Sequence, residues 1–225
     1  MTIRTQRTYS TPVYVEVGSK RVFACALDWP GWCRSGKDER QALQALADYA
    51  ARYAAVPSVA GLDFSAETAT TFEVRERLPG SATTDFGAPD RVPSSDRERL
   101  GPAEADRLAA LVAAAWTTLD RVVAGAPAAL RKGPRGGGRD RDAVFEHVLA
   151  AETAYARKLG VRQRQPSLGD VAAIAALRAG ILGAIRQAAE TTALGESGWL
   201  PRYAARRIAW HVLDHAWEIE DRSGR

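Results

Sequence analysis

The sequence predicts a small α+β N-terminal domain followed by an all-α, antiparallel four-helix bundle. Two observations carry that expectation. Over roughly the first 80 residues, β-branched and aromatic positions alternate at period 2 around short Gly-containing turns, whereas beyond residue 100 the apolar positions recur at helical spacing in alanine-rich runs. Between them "LPGSATTDFGAPDRVPSS" is rich in Pro, Gly and Ser, which predicts a linker over about residues 79–95 and domains of 1–90 and 91–225.

The elements follow in order. "PVYVEV", alternating around Val13, Val15 and Val17, is joined by "GSK" to "RVFACALD", the pattern of an antiparallel hairpin. "WPGWCRSG" is expected to be a Pro/Gly loop. In "KDERQALQALADYAARYA", Ala42, Leu43, Leu46, Tyr49 and Tyr53 recur at helical spacing, and Asp38 is placed to cap the helix start. "TTFEVRERL", residues 70–78, predicts a third strand. Four helices are then expected at about 102–124, 140–160, 167–193 and 199–221, with short connections except for "LRKGPRGGGRDRD", residues 130–142. That segment has five Gly/Pro and five basic residues, but no strand precedes it and no phosphate-loop pattern is present, so it is expected to be a solvated loop.

Composition narrows the function. The 225 residues are 46% hydrophobic, enough for a real core. Residues 1–90 carry 10 Lys+Arg against 11 Asp+Glu, so residues 91–225 carry +5 to give the chain its net +4, without the basic stripe of a nucleic-acid binder. No specific nucleic-acid partner and no membrane partner is expected. The opening "MTIRTQRTYSTPVYVEV" lacks an apolar targeting core and no run approaches about 20 uninterrupted apolar residues, so the expected compartment is the cytoplasm. The two cysteines, Cys25 and Cys33, are too few for a disulfide framework and are expected to be ordinary thiols.

The histidines are the informative residues. The chain has three, and two of them, His211 and His215, stand four apart in "RRIAWHVLDHAWEIEDR", so they share a helix face with Ile208 and Ile219. His147, in "RDAVFEHVLAAETAYARKL", falls on the stripe of Val144, Val148, Ala151, Tyr155 and Leu159, so all three are expected to face the core. Three buried imidazoles need partners, and a divalent transition metal (Zn, Ni or Fe) would satisfy them while leaving a position open. The competing account is three unrelated core histidines bonded to hydroxyls or carbonyls.

A lone inward His early in a second helix, followed by HxxxH on the last helix of a bundle, resembles the DinB-like metalloprotein superfamily, which includes mycothiol-dependent maleylpyruvate isomerase-like proteins. "FEHVLAAETAY" and "RRIAWHVLDHAWEIEDR" carry the likeness over about residues 94–225. It implies that His147, His211 and His215 are metal ligands and points to a transfer or isomerisation using a low-molecular-weight thiol; an open metal position that activates water would also allow hydrolysis. In the first half, "VFACALDWPGWCRSGKDERQALQALADY" is similar to HicB-type antitoxins at Asp28, Pro30, Gly31 and Gly36. That likeness implies a partner-recruiting module, and no carboxylate cluster around Asp28 or Glu73 suggests nuclease chemistry.

Asp214 and Glu218 flank the ligands and are candidates for a general base or for carboxylates that orient a ligand, against the alternative of ion pairs with Arg206, Arg207 or Arg222. Trp210 and Trp217, seven apart, either wall a pocket or pack in the core. The leading expectation is a metalloenzyme acting on a small molecule. The alternative is a non-catalytic, metal-stabilised binding or regulatory protein whose HicB-like half recruits a protein partner.

Overall fold

A computed structural model of the chain describes residues 10–66, 71–133, 137–188 and 198–224. They fall into two compact units, one ending at Pro93 and the other beginning at Ser94.

The first unit is a mixed four-stranded sheet with short helices. β1 (Thr11–Val17) pairs antiparallel with β2 (Val22–Ala26), running from Val13 opposite Ala26 to Val17 opposite Val22. β3 (Cys33–Gly36) adds antiparallel to β2, and β4 (Phe72–Pro79) runs parallel to β1 on the other side, with a register shift between Val13 and Tyr14. The order is therefore β3-β2-β1-β4.

β3 lies within the segment expected to be loop. Cys-Arg-Ser-Gly has little strand propensity, and its conformation comes from pairing with β2, which local sequence does not report. The loop before it is anchored in the core. The Trp32 indole N–H donates to the Leu46 carbonyl at 2.9 Å, the Tyr53 hydroxyl donates to the Pro30 carbonyl at 2.8 Å, and the two rings stack. Cys25 and Cys33 face each other across β2 and β3 as buried free thiols.

The expected helix over 37–54 is divided into α1 (Glu39–Asp48) and α2 (Ala50–Tyr53), followed by α3 (Ala55–Val59). The Asp38 side chain caps α1 by accepting from Gln41 N–H at 2.8 Å. Gly36 lets β3 approach α1, because a Cβ there would lie 2.5 Å from the Ala42 nitrogen.

The expected linker over 79–95 is built structure. α4 (Ala82–Phe86) opens with a Ser81/Thr84 capping box, and the fully buried Glu16 of β1 accepts from the Asp90 and Arg91 backbone N–H groups at 3.0 Å and from the Thr84 hydroxyl. Pro, Gly and Ser there mark turns folded onto a buried carboxylate, whose pKa burial pushes up.

The second unit starts with a 3-10 turn at Ser94–Arg97 and contains α5 (Pro102–Gly125), α6 (Arg141–Lys158), α7 (Val171–Gln187) and α8 (Pro201–Arg222). Pro at the first position opens α5 and α8, and the Asp170 side chain caps α7 through Ala173 N–H at 2.9 Å. The third expected helix extended to residue 193, and its positions 189–193 lie outside the described residues. α5 and α6 each pack against both α7 and α8.

By length and composition α5 is apolar enough to cross a membrane, but Leu108, Leu111, Val112 and Leu119 are buried within this unit. Charged pairs, most of them buried, tie the helices together. Arg178 of α7 reaches Asp120 of α5 at 2.8 Å and Glu152 of α6 at 3.3 Å, and Arg206 of α8 pairs with Asp96 of the 3-10 turn.

Candidate metal centre

The four-residue spacing on α8 stacks His211 and His215 on one face, and the packing of α6 against α8 brings His147 to them. Each of the three offers one ligand atom, and these atoms lie within 4.8 Å of one another. Ring centroids are 4.6 Å apart for His211 and His215, 4.9 Å for His147 and His215, and 5.2 Å for His147 and His211. The Nε2 atoms of His147 and His211 are 3.3 Å apart. Two imidazole nitrogens bound tetrahedrally to one ion at about 2.0–2.1 Å are separated by about 3.3 Å, so the spacing suits a shared metal.

The ionisation state suits it as well. Desolvation of its inner edge lowers the pKa of the otherwise exposed His147, and full burial lowers that of His211 more strongly, with neighbouring histidines and arginines adding to the effect. Both rings are therefore neutral at pH 7, the state in which imidazole has a lone pair for a metal. The buried Nδ1 of His211 has no hydrogen-bond partner, and its Nε2 faces Nε2 of His147.

Exposure differs from the sequence expectation. His211 is buried and His215 half-buried, but His147 is exposed, at the edge of the stripe whose Val144 and Val148 are fully buried. One residue on a helix turns about 100°, so a position beside an apolar stripe can face either way, and here it opens the cluster to solvent.

The carboxylates flanking the ligands part company. Glu218 accepts from His215 Nδ1 at 2.8 Å through Oε2, and its Oε1 accepts from Arg222 Nη1 at 2.8 Å. That assignment places the proton of His215 on Nδ1 and leaves Nε2 as the ligand atom. The hydrogen bond from His215 holds the Glu218 carboxyl below its ordinary pKa. Asp214 is half-buried and lies outside the three-histidine ligand group. The ion-pair alternative is met at Arg222, whereas Arg206 turns to Asp96.

Comparison with protein-family models, curated proteins and solved structures finds no match for this chain.

Arg222 was foreseen as an ion-pair partner, but Arg131, Gly138, Trp199 and Tyr203 were not singled out from the sequence. Arg222 Nε donates to the Arg131 carbonyl at 2.9 Å, and Arg131 returns a backbone bond to the Arg222 carbonyl at 2.9 Å. Gly138, with φ of +120°, packs so closely that a Cβ would lie 2.6 Å from Arg222 Nη2. The segment expected to be a solvated loop is thus fastened, through Arg222, to the residue that orients His215.

An aromatic group adjoins His211. Tyr155 meets its ring edge-on at 5.7 Å, and Trp199 lies 4.9 Å from Tyr155. Trp210 and Trp217 are both buried, and Trp210 lies 6.2 Å from His211. The available signal was spacing, because Tyr203, Arg207, His211 and His215 follow at four-residue steps along α8. A separate cavity of about 490 Å³ lies between the C-terminal ends of α5 and α8, lined in part by Arg121, Glu220 and Asp221 and by none of the histidines.

Proposed function

We propose that the chain is a DinB-like metalloprotein in which His147, His211 and His215 hold one divalent transition metal, zinc, nickel or iron. The observation that carries the proposal is the convergence of all three histidines, with ligand atoms within 4.8 Å of one another. The packing of α5 and α6 each against α7 and α8 supports an antiparallel four-helix bundle of the DinB-like type. The first unit is proposed as a HicB-like module that recruits a protein partner, and the protein as cytoplasmic.

The exposed edge at His147 favours a reactive centre over a closed structural one, because a structural ion is enclosed by its ligands. The proposed reaction class is a transfer or isomerisation on a small molecule, assisted by a low-molecular-weight thiol. A divalent ion bound there would supply Lewis acidity and an exchangeable coordination position. Glu218 is a positioning residue: it keeps the proton on Nδ1 of His215 and fixes the ring. His211, buried and neutral, presents its lone pair without having to lose a proton near pH 7.

Metal analysis of protein prepared in zinc-, nickel- and iron-replete media tests the proposal, and one ion per chain is the expected result. A metal-replete preparation without a stoichiometric transition metal would refute it. Screening of thiol conjugates then tests the reaction class.

A further inference from the structure

The chain's two cysteines lie in the first unit, away from the histidines, and the sheet sets them opposite one another. Cys25 of β2 is the direct partner of Cys33 of β3. The neighbouring hydrogen bonds show which kind of pair this is. Ala26 N–H donates to the Trp32 carbonyl at 3.0 Å, one step along the ladder, and Cys33 N–H turns away from β2 to the Gly31 carbonyl at 3.1 Å. Cys25 and Cys33 therefore occupy a non-hydrogen-bonded position, where antiparallel backbones come closest, with Cα atoms about 4.5 Å apart and both side chains on one face. A disulfide needs Cα atoms roughly 4.4–6.8 Å apart, so the strands already stand at a distance that the bond can span.

Both thiols are free and buried, and the chain has no third cysteine to compete for either. Burial, and after it the adjoining Cys25 thiol, push the Cys33 thiol well above its ordinary pKa, so the closed sheet holds it protonated and unreactive. Access comes through β3. This strand has four residues, lies at the edge of the sheet, and its Arg34, Ser35 and Gly36 are half-buried. Short edge strands with part-exposed hydrogen bonds open at lower free energy than the unit as a whole.

We infer that Cys25 and Cys33 form a thiol–disulfide modification site, closed into a cross-strand disulfide by a low-molecular-weight disulfide that enters as β3 opens. One cysteine, as its thiolate, attacks the reagent to give a mixed disulfide, and the first reagent thiol leaves with the proton. The thiolate of the other cysteine then attacks the sulfur of the first, and the second reagent thiol leaves. Two protein thiols are oxidised, one reagent disulfide is reduced to two thiols, and an excess of that thiol reverses both steps. In the closed form β3, whose own sequence has little strand propensity, is held to β2 by a covalent bond.

Full-length protein equilibrated with mixtures of oxidised and reduced glutathione, acid-quenched and alkylated, tests this by intact mass and peptide mapping. As the oxidised share rises, the chain should lose two hydrogens, resist alkylation at both cysteines and yield a crosslinked peptide pair, with no glutathione retained. Excess reduced glutathione should restore both thiols. The same mixtures in urea report ring closure without the sheet, and at equilibrium the folded chain should close roughly tenfold more readily. A folded chain that keeps both thiols, one that stops at a glutathione adduct, or ring closure no more favourable when folded than in urea would each overturn the inference. Amide exchange at residues 34–36 should slow in the oxidised form, and unchanged exchange would overturn the part given to β3.

Discussion

Desolvation lowers the pKa of both His147 and His211, but only His211 is buried, so they differ in what they contribute to the metal-free fold. Replacing any of the three histidines by Ala removes a ligand, so each variant should lose most of its metal at neutral pH, measured as ions per chain. Stability of the metal-free protein should instead discriminate among them. His147→Ala, at an exposed site, should change it by no more than about 0.5 kcal/mol, whereas His211→Ala leaves a hole beside buried neighbours and should cost about 1–3 kcal/mol.

Acid sensitivity follows from the same burial. Unfolded histidines titrate near 6.5, and both folded values lie lower, so below that pH the unfolded chain binds more protons. Metal-free protein should therefore keep this contribution above about pH 6.5 and lose stability as pH falls through the folded values. Urea titrations at pH 7.5 and pH 5.5 should show a smaller acid loss in His211→Gln than in wild type. An equal loss would show that His211 is not the residue responsible.

Two elements carry consequences beyond their own residues. The loop before α6 meets α8 at Gly138, where the left-handed φ and the 2.6 Å approach to Arg222 exclude a Cβ without rearrangement. Gly138→Ala should push Arg222 aside, loosen Glu218 and weaken metal binding roughly tenfold although it touches no ligand, the usual size of an effect on groups that orient ligands. Metal competition with a chelator measures this, and unchanged affinity would remove the loop from the site.

Among the long helices, Arg178 joins α5, α6 and α7. Its arm to Asp120 ends on a half-exposed carboxylate and contributes little, so the arm to the buried Glu152 decides. Arg178→Ala should cost about 3 kcal/mol by leaving that carboxyl buried without its cation, whereas the double change Arg178→Met with Glu152→Met should recover much of the loss. Chemical denaturation of the two variants checks both values.

The chain divides at Pro93/Ser94, and every residue invoked for the metal centre and its arginines lies after the division. A fragment of residues 94–225 should therefore fold and bind metal with the stoichiometry of the full chain, read by circular dichroism and metal analysis. The first unit should carry no metal, since its conspicuous carboxylates have other roles. Glu16 is sealed by backbone N–H groups, and Glu73 pairs on the surface with Arg75. A fragment that is unfolded, or folded without metal, would show that the second unit depends on the first.

Much of this protein is legible in the pattern of its residues, because helix formation and strand alternation are largely local. The β1–β2 hairpin, α1 with its Asp38 cap, β4 and the approximate places of the four long helices all follow from spacing and capping. So does the pairing of His211 with His215 on one face. Tertiary structure decided the rest. β3 forms only because β2 offers a partner, and the Pro/Gly/Ser segment after β4 is fastened by a buried carboxylate 74 positions before Asp90. His147 reaches the pair from another helix, and its exposure depends on neighbours that no period of its own helix specifies. Glu218 meets His215, and Arg222 holds it there through bonds to a loop about 90 residues away. Contacts closed over such separations depend on how whole elements pack, and short-range sequence pattern does not record that.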